Sequence, residues 1–587
     1  MVRKARQYSV IPVVVLLALA MLVPRPGLAT EDGQMRLCIV YTNDIHGGID
    51  RTGATFMNRE FPPPLGGAAS AVTYIERLRE RAREEGGHVL VIDQGDIFQG
   101  TPVGNYRKGE AVIEYFNHIG LDLWTVGNHD FDEGAENLWH LIEMSEMPVL
   151  SANLVWDETG EPIEYVQPYL IKDYDGVKVA IIGLTTTDTP KMAFPDHVKG
   201  VRFLPEIETA SKYVEEVREK GADIVVISGH MGLPYDPEVG YMQLIEEEEE
   251  READEVREPL EDRKWGPSAM EISHYVPGID VFVGGHIHKG FDKPWEEPSN
   301  HTLHVQTYGR GSGVGHIDLL IDRETGSIAG YEHPSYRGDL ITLFEDEWWP
   351  DPETSAMIEE LVDEAEQGMD AVIGYTDVDL TRGGDGETRM GNLVCDAMRE
   401  EVSADFAFTN LGGIRDEIPT GAVTPRQVFR VLPFGNSLMV YEIDGRLLKE
   451  IIEYRVSDDH HGVYMSGGRV VYNKTRPDYD RVTRFTIGGE QWRPDAIYRV
   501  VTSDFLAAGN AGLYMLPGIP EEQKMPTSTT CMDAAVHYIE RHSPIGNNLD
   551  GRWARDDESG IDPALAAAME GMEPLAPPAE EVGGAYQ

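Results

Sequence analysis

The sequence predicts an α/β protein built from two domains. Its 587 residues are too many for a domain with a single hydrophobic core. Two domains of about 300 and 180 residues fit common domain sizes. The first half repeats one pattern, in which an apolar, β-branched run ends in a glycine-rich turn. The runs are LCIVYT before Asp44, HVLVID before Asp96, ADIVVIS before His230 and IDVFVG before His286. Each run predicts a buried strand, and the polar residues after it lie where open α/β sheets place their sites.

The residues after these strands are of the types that bind metals. They are Asp44 and His46 in YTNDIHG, Asp96 in DQGDIFQG, Asn128 and His129 in GNHDFD, His230 in SGHMG, and His286 and His288 in GGHIH. Carboxylate, amide oxygen and imidazole together suit Zn, Mn, Fe or Co, whereas an all-oxygen set would suit Mg or Ca. Two such ions need a bridging carboxylate, for which Asp96 is the candidate, and can then clamp a phosphoryl group and lower the pKa of a bound water. A single histidine in such a turn is usually structural, but the whole ordered set predicts a two-metal phosphoesterase.

These motifs resemble those of the secreted bacterial 5'-nucleotidase family, in which a calcineurin-like metallophosphoesterase domain precedes a 5'-nucleotidase C-terminal domain. The resemblance runs from about residue 36 to about residue 552. It implies a four-layer αββα sandwich over residues 36–345, a linker helix over 346–372 and a smaller α/β substrate-binding domain over 373–552. Apolar residues at helical spacing between Asp351 and Gly374 independently predict a helix in the linker.

The resemblance also implies a role for each residue of the metal motifs. The first ion would take Asp44, His46, Asp96 and His288, and the second would take Asp96, Asn128, His230 and His286. Nucleotidases of the family often have Gln or Asn at the position of His288, so histidine there changes the ligand type without removing a ligand. His129 and Asp132 match the family's catalytic dyad. Asp132 would orient His129, whose imidazolium would stabilise charge on the transferred phosphoryl group together with Asn128.

Glycine-rich loops in the second half carry the residues that the resemblance assigns to the substrate. The loops read TNLGGIRDEIPTG, VLPFGNSL and VTSDFLAAGNAGLY. By resemblance, Phe434 and Phe505 would sandwich the base, since every nucleobase has a face on which an aromatic ring can stack. Arg415 would bind phosphate, and Asn410 and Asn436 would contact base or phosphate. For either phenylalanine alone, an ordinary core aromatic is the competing interpretation.

Two positions depart from the family pattern. The sequence GNAG places Ala511 where the family commonly has an aspartate that bonds the ribose hydroxyls. The sequence TRGGDGETRMGN places Gly384 where the family often has one of two paired arginines, which leaves Arg382 and Arg389 as candidate replacements. Ribose recognition and phosphate binding are therefore expected to differ from the family pattern.

The charge balance limits the possible partners. The formal net charge is −52, with 102 acidic residues against 50 basic ones. Nucleic acid is thereby excluded as an expected partner, because binding it requires a basic surface. So acidic a composition is typical of a surface adapted to concentrated salt, and simple solubility is the alternative.

The amino terminus predicts export. Residues 1–29 have a basic start, an apolar stretch from Val10 to Val23 and small residues before a polar sequence, which is typical of a signal peptide cleaved after Ala29. A retained membrane anchor is the competing interpretation, although the stretch is short for one. The mature chain is expected in the periplasm or outside the cell, without a stable membrane anchor.

Three other features lead to weaker expectations. The cysteines Cys38, Cys395 and Cys531 are too few for a disulfide framework, although the last two could pair. The acidic run over 245–265 predicts a solvated face or mobile loop, with a lid over the metal site as the alternative. The tail over 553–587, rich in Ala, Pro, Glu and Gly, is predicted to be disordered.

The sequence therefore predicts an exported, metal-dependent phosphoric ester hydrolase that acts on nucleoside 5'-monophosphates or related nucleotides. Three other activities on the same scaffold stay open: 2',3'-cyclic-nucleotide phosphodiesterase with 3'-nucleotidase activity, nucleotide-sugar hydrolysis and sulfur-ester hydrolysis. An exported protein that binds nucleotides or metals without catalysis is the alternative from a different class. The dyad of His129 and Asp132 argues against it, because a pure binder has no use for those residues.

Overall fold

The computed structural model describes residues 33–54, 56–58, 61–194, 196–253, 266–383, 386–457 and 462–556. The predicted signal peptide over 1–29 and the position of Gly384 lie outside these ranges. Among the described residues, no helix combines the length and apolar character needed to cross a membrane.

Two mixed sheets form the centre of the first domain. In the described chain, the first sheet runs, in spatial order, through Ile328–Glu332, Gly313–Asp322, Gln34–Thr42, His88–Asp93, Leu123–Thr125 and Val149–Leu150, with Leu340–Thr342 also paired to Gly313–Asp322. The second sheet runs through Trp295–Glu296, Leu303–Val305, Val281–Val283, Ile224–His230, Val177–Thr185 and Tyr169–Tyr174. In the first sheet, the four strands from Gln34–Thr42 to Val149–Leu150 pair in parallel. In the second sheet, the four strands from Leu303–Val305 to Val177–Thr185 pair in parallel. Parallel strands bring their carboxyl ends to one edge of each sheet, where the metal motifs begin.

Helices cover the outer face of each sheet. Apolar side chains of both sheets, such as Ile92 and Val226, fill the space between the sheets. The first sheet is covered by Gly67–Glu85, Glu110–Ile119, Ala135–Met144 and Pro352–Ala365, and the second by Glu206–Glu219 and Ala269–Tyr275. The predicted four-layer αββα sandwich is confirmed.

A helix lies within the predicted linker, over Pro352–Ala365. It begins where the side chain of Asp351 accepts a hydrogen bond from the backbone N–H of Thr354 at 2.8 Å, which caps the helix. Its residues Ile358 and Leu361 are buried in the same core as the outer helices of the first sheet. The helix therefore packs as part of the first domain before the chain enters the second.

The second domain is built on a five-stranded sheet, counted over the described residues. Its spatial order is Tyr464–Ser466, Phe406–Thr409, Ile497–Ser503, Ser437–Asp444 and Lys524–Thr530. Helices Arg389–Glu401 and Cys531–His542 pack on one face, and Gly445–Val456 packs on the other. A smaller sheet of Glu490–Gln491, Val482–Ile487, Gly468–Tyr472 and Trp553–Arg555 shares the core of that other face.

Short elements complete the described chain. The two-stranded pairs are Thr52–Gly53 with Pro64–Leu65, Leu154–Trp156 with Val201–Phe203, and Gly374–Thr376 with Gly421–Val423. The remaining α-helices are Pro102–Asn105, Thr189–Met192, Pro237–Ala253, Pro425–Val431 and Asp504–Ala507. Short 3-10 helices lie at Tyr106–Gly109, His129–Phe131, Leu411–Gly413, Asn510–Gly512 and Glu521–Gln523.

The structure corrects the predicted start of the disordered tail. Residues Trp553–Arg555 form a strand that pairs in parallel with Gly468–Tyr472, and Trp553 is buried. The apolar ring of Trp553 joins the core of the second domain, which holds this segment in the fold. The prediction is therefore wrong for residues 553–556, and residues 557–587 lie outside the described ranges.

The acidic run begins inside a helix. Residues 245–253 continue the helix Pro237–Ala253, and residues 254–265 lie outside the described ranges. Leu244 of that helix packs against Met270 in a small apolar cluster on the side of the second sheet. A lid role for the run stays a prediction. The cysteines Cys395 and Cys531 are both free and buried, so the suggested disulfide is absent from the described residues.

Candidate active site between the two domains

The predicted metal ligands meet at one edge of the first domain. Asp44 and His46 follow the strand Gln34–Thr42, and Asp96 follows His88–Asp93. Across the sandwich, His230 ends the strand Ile224–His230, and His286 and His288 follow Val281–Val283. Because parallel strands of both sheets end at this edge, residues far apart in sequence come together there.

Two groups of ligand atoms share the side chain of Asp96. One atom from each of Asp44, His46, Asp96 and His288 lies within 4.8 Å of the others, and Asp96, His230 and His286 form a second such group. The Nε2 atoms of His46 and His288 are 3.0 Å apart. The amide oxygen of Asn128 lies 3.0 Å from His230 Nε2 and 2.9 Å from His286 Nδ1. This donor set of imidazole, carboxylate and amide oxygen fits two borderline divalent cations that share one carboxylate.

Backbone carbonyls orient two of the imidazole rings. His46 Nδ1 lies 2.6 Å from the carbonyl oxygen of Gln99, and His230 Nδ1 lies 2.6 Å from that of Gln94. A carbonyl can only accept, so each Nδ1 carries a proton and each Nε2 is the nitrogen that faces the centre and could bind a cation once it is deprotonated. Asp44 is held in the same way, because its Oδ2 accepts a hydrogen bond from the backbone N–H of His286 at 2.8 Å.

The backbone at these ligands adopts a conformation that most residues avoid. Asp44, His46, Asp96, His286 and His288 have φ values of 50°, 47°, 58°, 74° and 52°. Left-handed backbone at residues other than glycine costs on the order of 1 kcal/mol or more each and is concentrated at functional sites. The sharp turns aim the side chains at one point. Gly95, beside Asp96, has φ 86°, and a Cβ there would lie 2.4 Å from the backbone nitrogen of Gly127.

The sequence analysis missed Asp130, which holds the loop of the bridging carboxylate. Its side chain accepts hydrogen bonds from the backbone N–H groups of Asp96, Ile97 and Gly127 at 3.1, 2.9 and 2.7 Å. Burial and the nearby Asp96 carboxylate raise the pKa of Asp130 to about 6. The motif GNHDFD contains this second aspartate, but its role depends on contacts with a segment about thirty residues earlier, which short motifs do not reveal.

The charges of the cluster favour cation binding. Burial disfavours a charged His230, yet Asp96 and Asp44 raise its pKa to about 10. Burial and the neighbouring His230 lower the pKa of His286 to about 4. A ligating imidazole must be neutral, so a divalent cation would displace the proton of His230.

His129 and Asp132 form the predicted pair. His129 Nδ1 lies 2.8 Å from Asp132 Oδ2, and the backbone N–H of His129 donates to Asp96 Oδ1 at 2.7 Å. Burial opposes protonation of His129, but Asp132 and Asp96 raise its pKa above the ordinary value. The geometry therefore supports an oriented imidazolium beside the metal cluster.

A cavity of about 550 Å³ lies between the domains next to His129. It is lined by five of the predicted substrate residues, namely Asn410, Arg415, Phe434, Asn436 and Phe505, together with Asp132 and Ala511. The volume falls within the range of about 300–1,000 Å³ that small-molecule sites occupy. The structure thus brings most of the predicted substrate residues together with the predicted dyad.

The two predicted base-stacking rings each contact a ring of the first domain. Phe434 stacks on His129, with ring centroids 5.6 Å apart and planes 28° apart. Phe505 meets Phe194 edge to face at 6.1 Å. Phe194 also lines the cavity, and the sequence analysis missed it because no metal or glycine motif marks it. A sandwich of Phe434 and Phe505 around a base stays a prediction.

The two arginines suggested as replacements do not line this cavity. Arg389 begins the helix Arg389–Glu401, and its Nε donates to the side-chain oxygen of Asn547 at 3.0 Å. Arg382 donates to the carbonyl oxygen of Ile414, the residue before Arg415. Substrate contact by Arg382 or Arg389 stays a prediction, and Arg382 lies close enough to Arg415 to lower the pKa of that guanidinium.

Hydrogen bonds within the second domain hold two other residues of the cavity wall, Asn436 and Ala511. Asn436 Nδ2 donates to Asp504 at 3.0 Å, which leaves its amide oxygen for other partners. Ala511 has φ 53°, and its carbonyl oxygen accepts a hydrogen bond from Arg455 at 2.8 Å. The loop of Ala511 thus places backbone and a methyl group at the cavity wall, without a carboxylate at that position.

Comparisons with known proteins agree with these observations. A model of calcineurin-like phosphoesterases matches residues 38–290, and a model of the 5'-nucleotidase C-terminal domain matches residues 372–518. A 5'-nucleotidase of Vibrio cholerae is 29% identical over 583 residues, covering 92% of this chain and 97% of that protein. The endonuclease YhcR of Bacillus subtilis is 27% identical over 542 residues, but the chain spans only 41% of its length. The crystal structure of a 5'-nucleotidase precursor from Thermus thermophilus superposes with a TM-score of 0.74 at 26% identity, over 89% of this chain and 100% of that one.

Proposed function

The chain belongs to the 5'-nucleotidase family of metal-dependent phosphoric ester hydrolases, and from that premise we propose that it hydrolyses nucleoside 5'-monophosphates or related nucleotides to nucleoside and phosphate. One observation carries the proposal. The cavity between the domains joins the predicted catalytic pair to aromatic and amide side chains that suit a nucleoside. The family uses two divalent cations, and the shared Asp96 cluster offers ligands for both.

When bound, two divalent cations neutralise charge on a phosphoryl group and lower the pKa of water. The protein supplies the other parts of the reaction. His129, protonated and held by Asp132, is placed to donate a hydrogen bond to a phosphoryl oxygen or a proton to the leaving oxygen. In hydrolysis, the oxygen of water bonds to phosphorus, the bond from phosphorus to the ester oxygen breaks, and that oxygen takes a proton.

The walls of the cavity support a nucleotide over a simple phosphate ester. Phe194, Phe434 and Phe505 supply faces or edges for a base, and Asn410 and Asn436 supply amides. Cyclic nucleotides, nucleotide sugars and sulfur esters remain alternatives on this scaffold. A purely binding protein is disfavoured, because the pair of His129 and Asp132 is oriented toward the metal cluster.

The decisive experiment measures the products formed from a panel of substrates, with nucleosides, nucleotides and sugar phosphates separated by chromatography and inorganic phosphate assayed beside them. The purified chain without residues 1–29 is assayed with AMP, dAMP, 2',3'-cyclic AMP, UDP-glucose and p-nitrophenyl phosphate, each with Mn, Co, Zn or Mg. We expect metal-dependent release of phosphate from AMP that a chelator abolishes. Efficient cleavage of another ester with none from the monophosphates would refute the nucleotidase proposal and leave the metallophosphoesterase class intact.

Export and adaptation to salt are proposals that rest on the sequence. Residues 1–29 support export, and the net charge of −52 supports a surface suited to concentrated salt. Because the Debye length falls from about 30 Å at 0.01 M to about 3 Å at 1 M, salt should relieve repulsion among the acidic residues. We expect the melting temperature to rise over this range in a salt that does not chelate metals. A flat or falling curve would contradict the adaptation.

A further inference from the structure

A second, narrow cleft joins the large cavity at the metal cluster. Gln99, Arg415 and Pro433 line both spaces, so they form the boundary between them. The cleft is also lined by His46, one of the predicted metal ligands, and by Arg310 of the first domain. A ligand that spans both spaces would have one end beside the metal ligands and the other among the aromatic side chains.

Two arginines of the cleft lack the carboxylate partners that other arginines in this protein find. Acidic residues outnumber basic ones by 102 to 50, and Arg51, Arg426 and Arg430 all form ion pairs with aspartate or glutamate. Within the described part of the chain, neither Arg310 nor Arg415 forms such a pair. Arg310 Nη2 donates instead to the carbonyl oxygen of Arg415 at 3.1 Å.

The guanidinium of Arg415 contacts an aromatic ring and a backbone carbonyl oxygen. It lies over the ring of Phe434, with Cζ 5.5 Å from the centroid, and its nearest acceptor is the carbonyl oxygen of Gly412 at 3.4 Å. Burial, Arg310 and Arg382 lower the pKa of Arg415 to about 10. Asp96 and Asp132 act in the opposite direction on Arg415, but neither contacts its guanidinium. Guanidinium groups that lack a contacting carboxylate favour the binding of an anion between them.

Gln99 provides an independent sign of a ligand at the same place. Its side chain is only 4% exposed, and its Nε2 has no hydrogen-bond partner among the described residues. Buried amide donors normally have a partner, and an exception calls for an explanation such as a ligand or water. The donor belongs to a residue that lines both the cleft and the large cavity.

The backbone fixes Arg310 to the metal site. Its own N–H donates to the carbonyl oxygen of Asp44 at 2.7 Å, and its φ is 57°. A Cβ at Gly48 would lie 2.5 Å from the carbonyl oxygen of Arg310, so the two loops touch where Gly48 has no side chain. Arg310 therefore keeps a set position relative to the first predicted metal.

We propose that Arg310 and Gln99 of the first domain bind the phosphoryl group of the substrate and the inorganic phosphate product, beside Arg415, which the family resemblance already assigns to phosphate. This inference rests on the proposed function. The family pattern often has an arginine of the second domain at the position of Gly384. Arg310 and Gln99 of the first domain would supply the phosphate contact that this arginine makes in the family. Since Arg415 belongs to the second domain, the bound phosphoryl group bridges the two domains and also fixes the direction of the nucleoside, which extends toward Phe505.

The test uses the metal-loaded enzyme and four variants. Arg310→Ala removes the charge, Arg310→Lys keeps a charge without the planar fork, and Gln99→Met removes the donor at similar length while its backbone carbonyl still holds His46. Arg202→Ala is the matched control, because Arg202 is exposed and pairs with Asp157 away from the cleft. Each enzyme is measured for KM and kcat with AMP, for inhibition by inorganic phosphate, for bound metal and for melting temperature.

We expect Arg310→Ala to raise both KM for AMP and Ki for phosphate by at least about tenfold, the scale of one charge-assisted hydrogen bond. Arg310→Lys should recover part of the loss, and Gln99→Met should weaken phosphate by a few-fold, about the scale of one neutral hydrogen bond. Bound metal and melting temperature should match the wild type. The Arg202→Ala enzyme should behave as the wild type in every measurement.

Two results would overturn the inference. One is Arg310→Ala and Gln99→Met enzymes that keep KM and Ki within about twofold of the wild type, since a direct ligand contributes more than this. The other is loss of metal in step with activity, which would assign both residues to supporting the metal loop. If the wild type hydrolyses no nucleotide, the proposed function fails, and calorimetric titration of inorganic phosphate into the same variants still tests the phosphate site.

Discussion

The two walls of the active-site cleft are built differently. On the first domain, Asp44, Asp96 and His230 are buried, and five predicted ligands have strained backbone that hydrogen bonds hold in place. On the second domain, the predicted substrate residues lie on loops and are only half-buried. The rings of Phe434 and Phe505 on these loops contact rings of the first domain. The first-domain wall, formed by the predicted metal ligands (the metal wall), is therefore held in one geometry. The second-domain wall, formed by the predicted substrate residues (the substrate wall), depends on how the domains meet. The difference suggests that reaction type and substrate choice are separable in this protein.

Loss of the carboxylate shared by both ligand groups should have the largest effect on activity. We expect Asp96→Asn to reduce turnover of AMP to background and to lower bound metal, because one side chain belongs to both ligand groups. Elemental analysis and phosphate release measure the two effects. Asp157→Asn, at an exposed aspartate, is the matched control. An Asp96→Asn enzyme with full metal and near wild-type rates would refute the two-metal assignment.

Substitution of His129 should lower the catalytic rate without removing the bound metal. We expect His129→Ala to lower kcat by about a hundredfold or more, the usual effect of losing one preorganised donor, while bound metal is nearly unchanged. His140→Ala, at an exposed histidine that contacts Glu110, is the matched control for loss of an imidazole side chain. If metal content falls together with the rate, His129 belongs to the metal site instead.

A substitution in the substrate wall should change the KM for the nucleotide. We expect Phe505→Ala to raise KM for AMP by about tenfold, which is within the range of base stacking on an aromatic ring, and to leave p-nitrophenyl phosphate almost unaffected. Steady-state kinetics on both substrates measure the contrast, with exposed Phe61→Ala as the control. Equal losses on the two substrates would show that Phe505 supports the fold of the wall and does not read the base.

The smallest effect is expected at the sugar. Because Ala511 offers no carboxylate to the ribose, kcat/KM for AMP and dAMP should differ by less than about tenfold. Ala511→Asp should widen the difference in favour of AMP. A wild-type enzyme that already prefers AMP by several hundredfold would reveal that another residue reads the ribose hydroxyls.

The predicted metal ligands could be picked out from the sequence because the pattern that carries them is local, and the structure brings them together. A strand, a glycine turn and a ligand occupy fewer than ten neighbouring residues in segments such as YTNDIHG, and parallel strands deliver those ligands to one edge. The substrate wall was predicted only by family resemblance, and Arg389 shows the limit of that route. It lies close in sequence to the position of the family arginine, but in the structure its side chain donates to Asn547, which lies in a distant part of the sequence.

By itself, the sequence determined the two-domain α/β class and the residue types offered as metal ligands, because both depend on residues close together along the chain or on strand periodicity. The pair of His129 and Asp132 came from the family resemblance. Only the tertiary structure decided that Phe434 stacks on His129, that Arg310 reaches the loop of Arg415, and that the Gln99 amide lacks a partner among the described residues. Arg310 and Arg415 are 105 residues apart and belong to different domains. Contacts of this kind depend on how two separately folded surfaces meet, and no local pattern of side chains encodes that geometry.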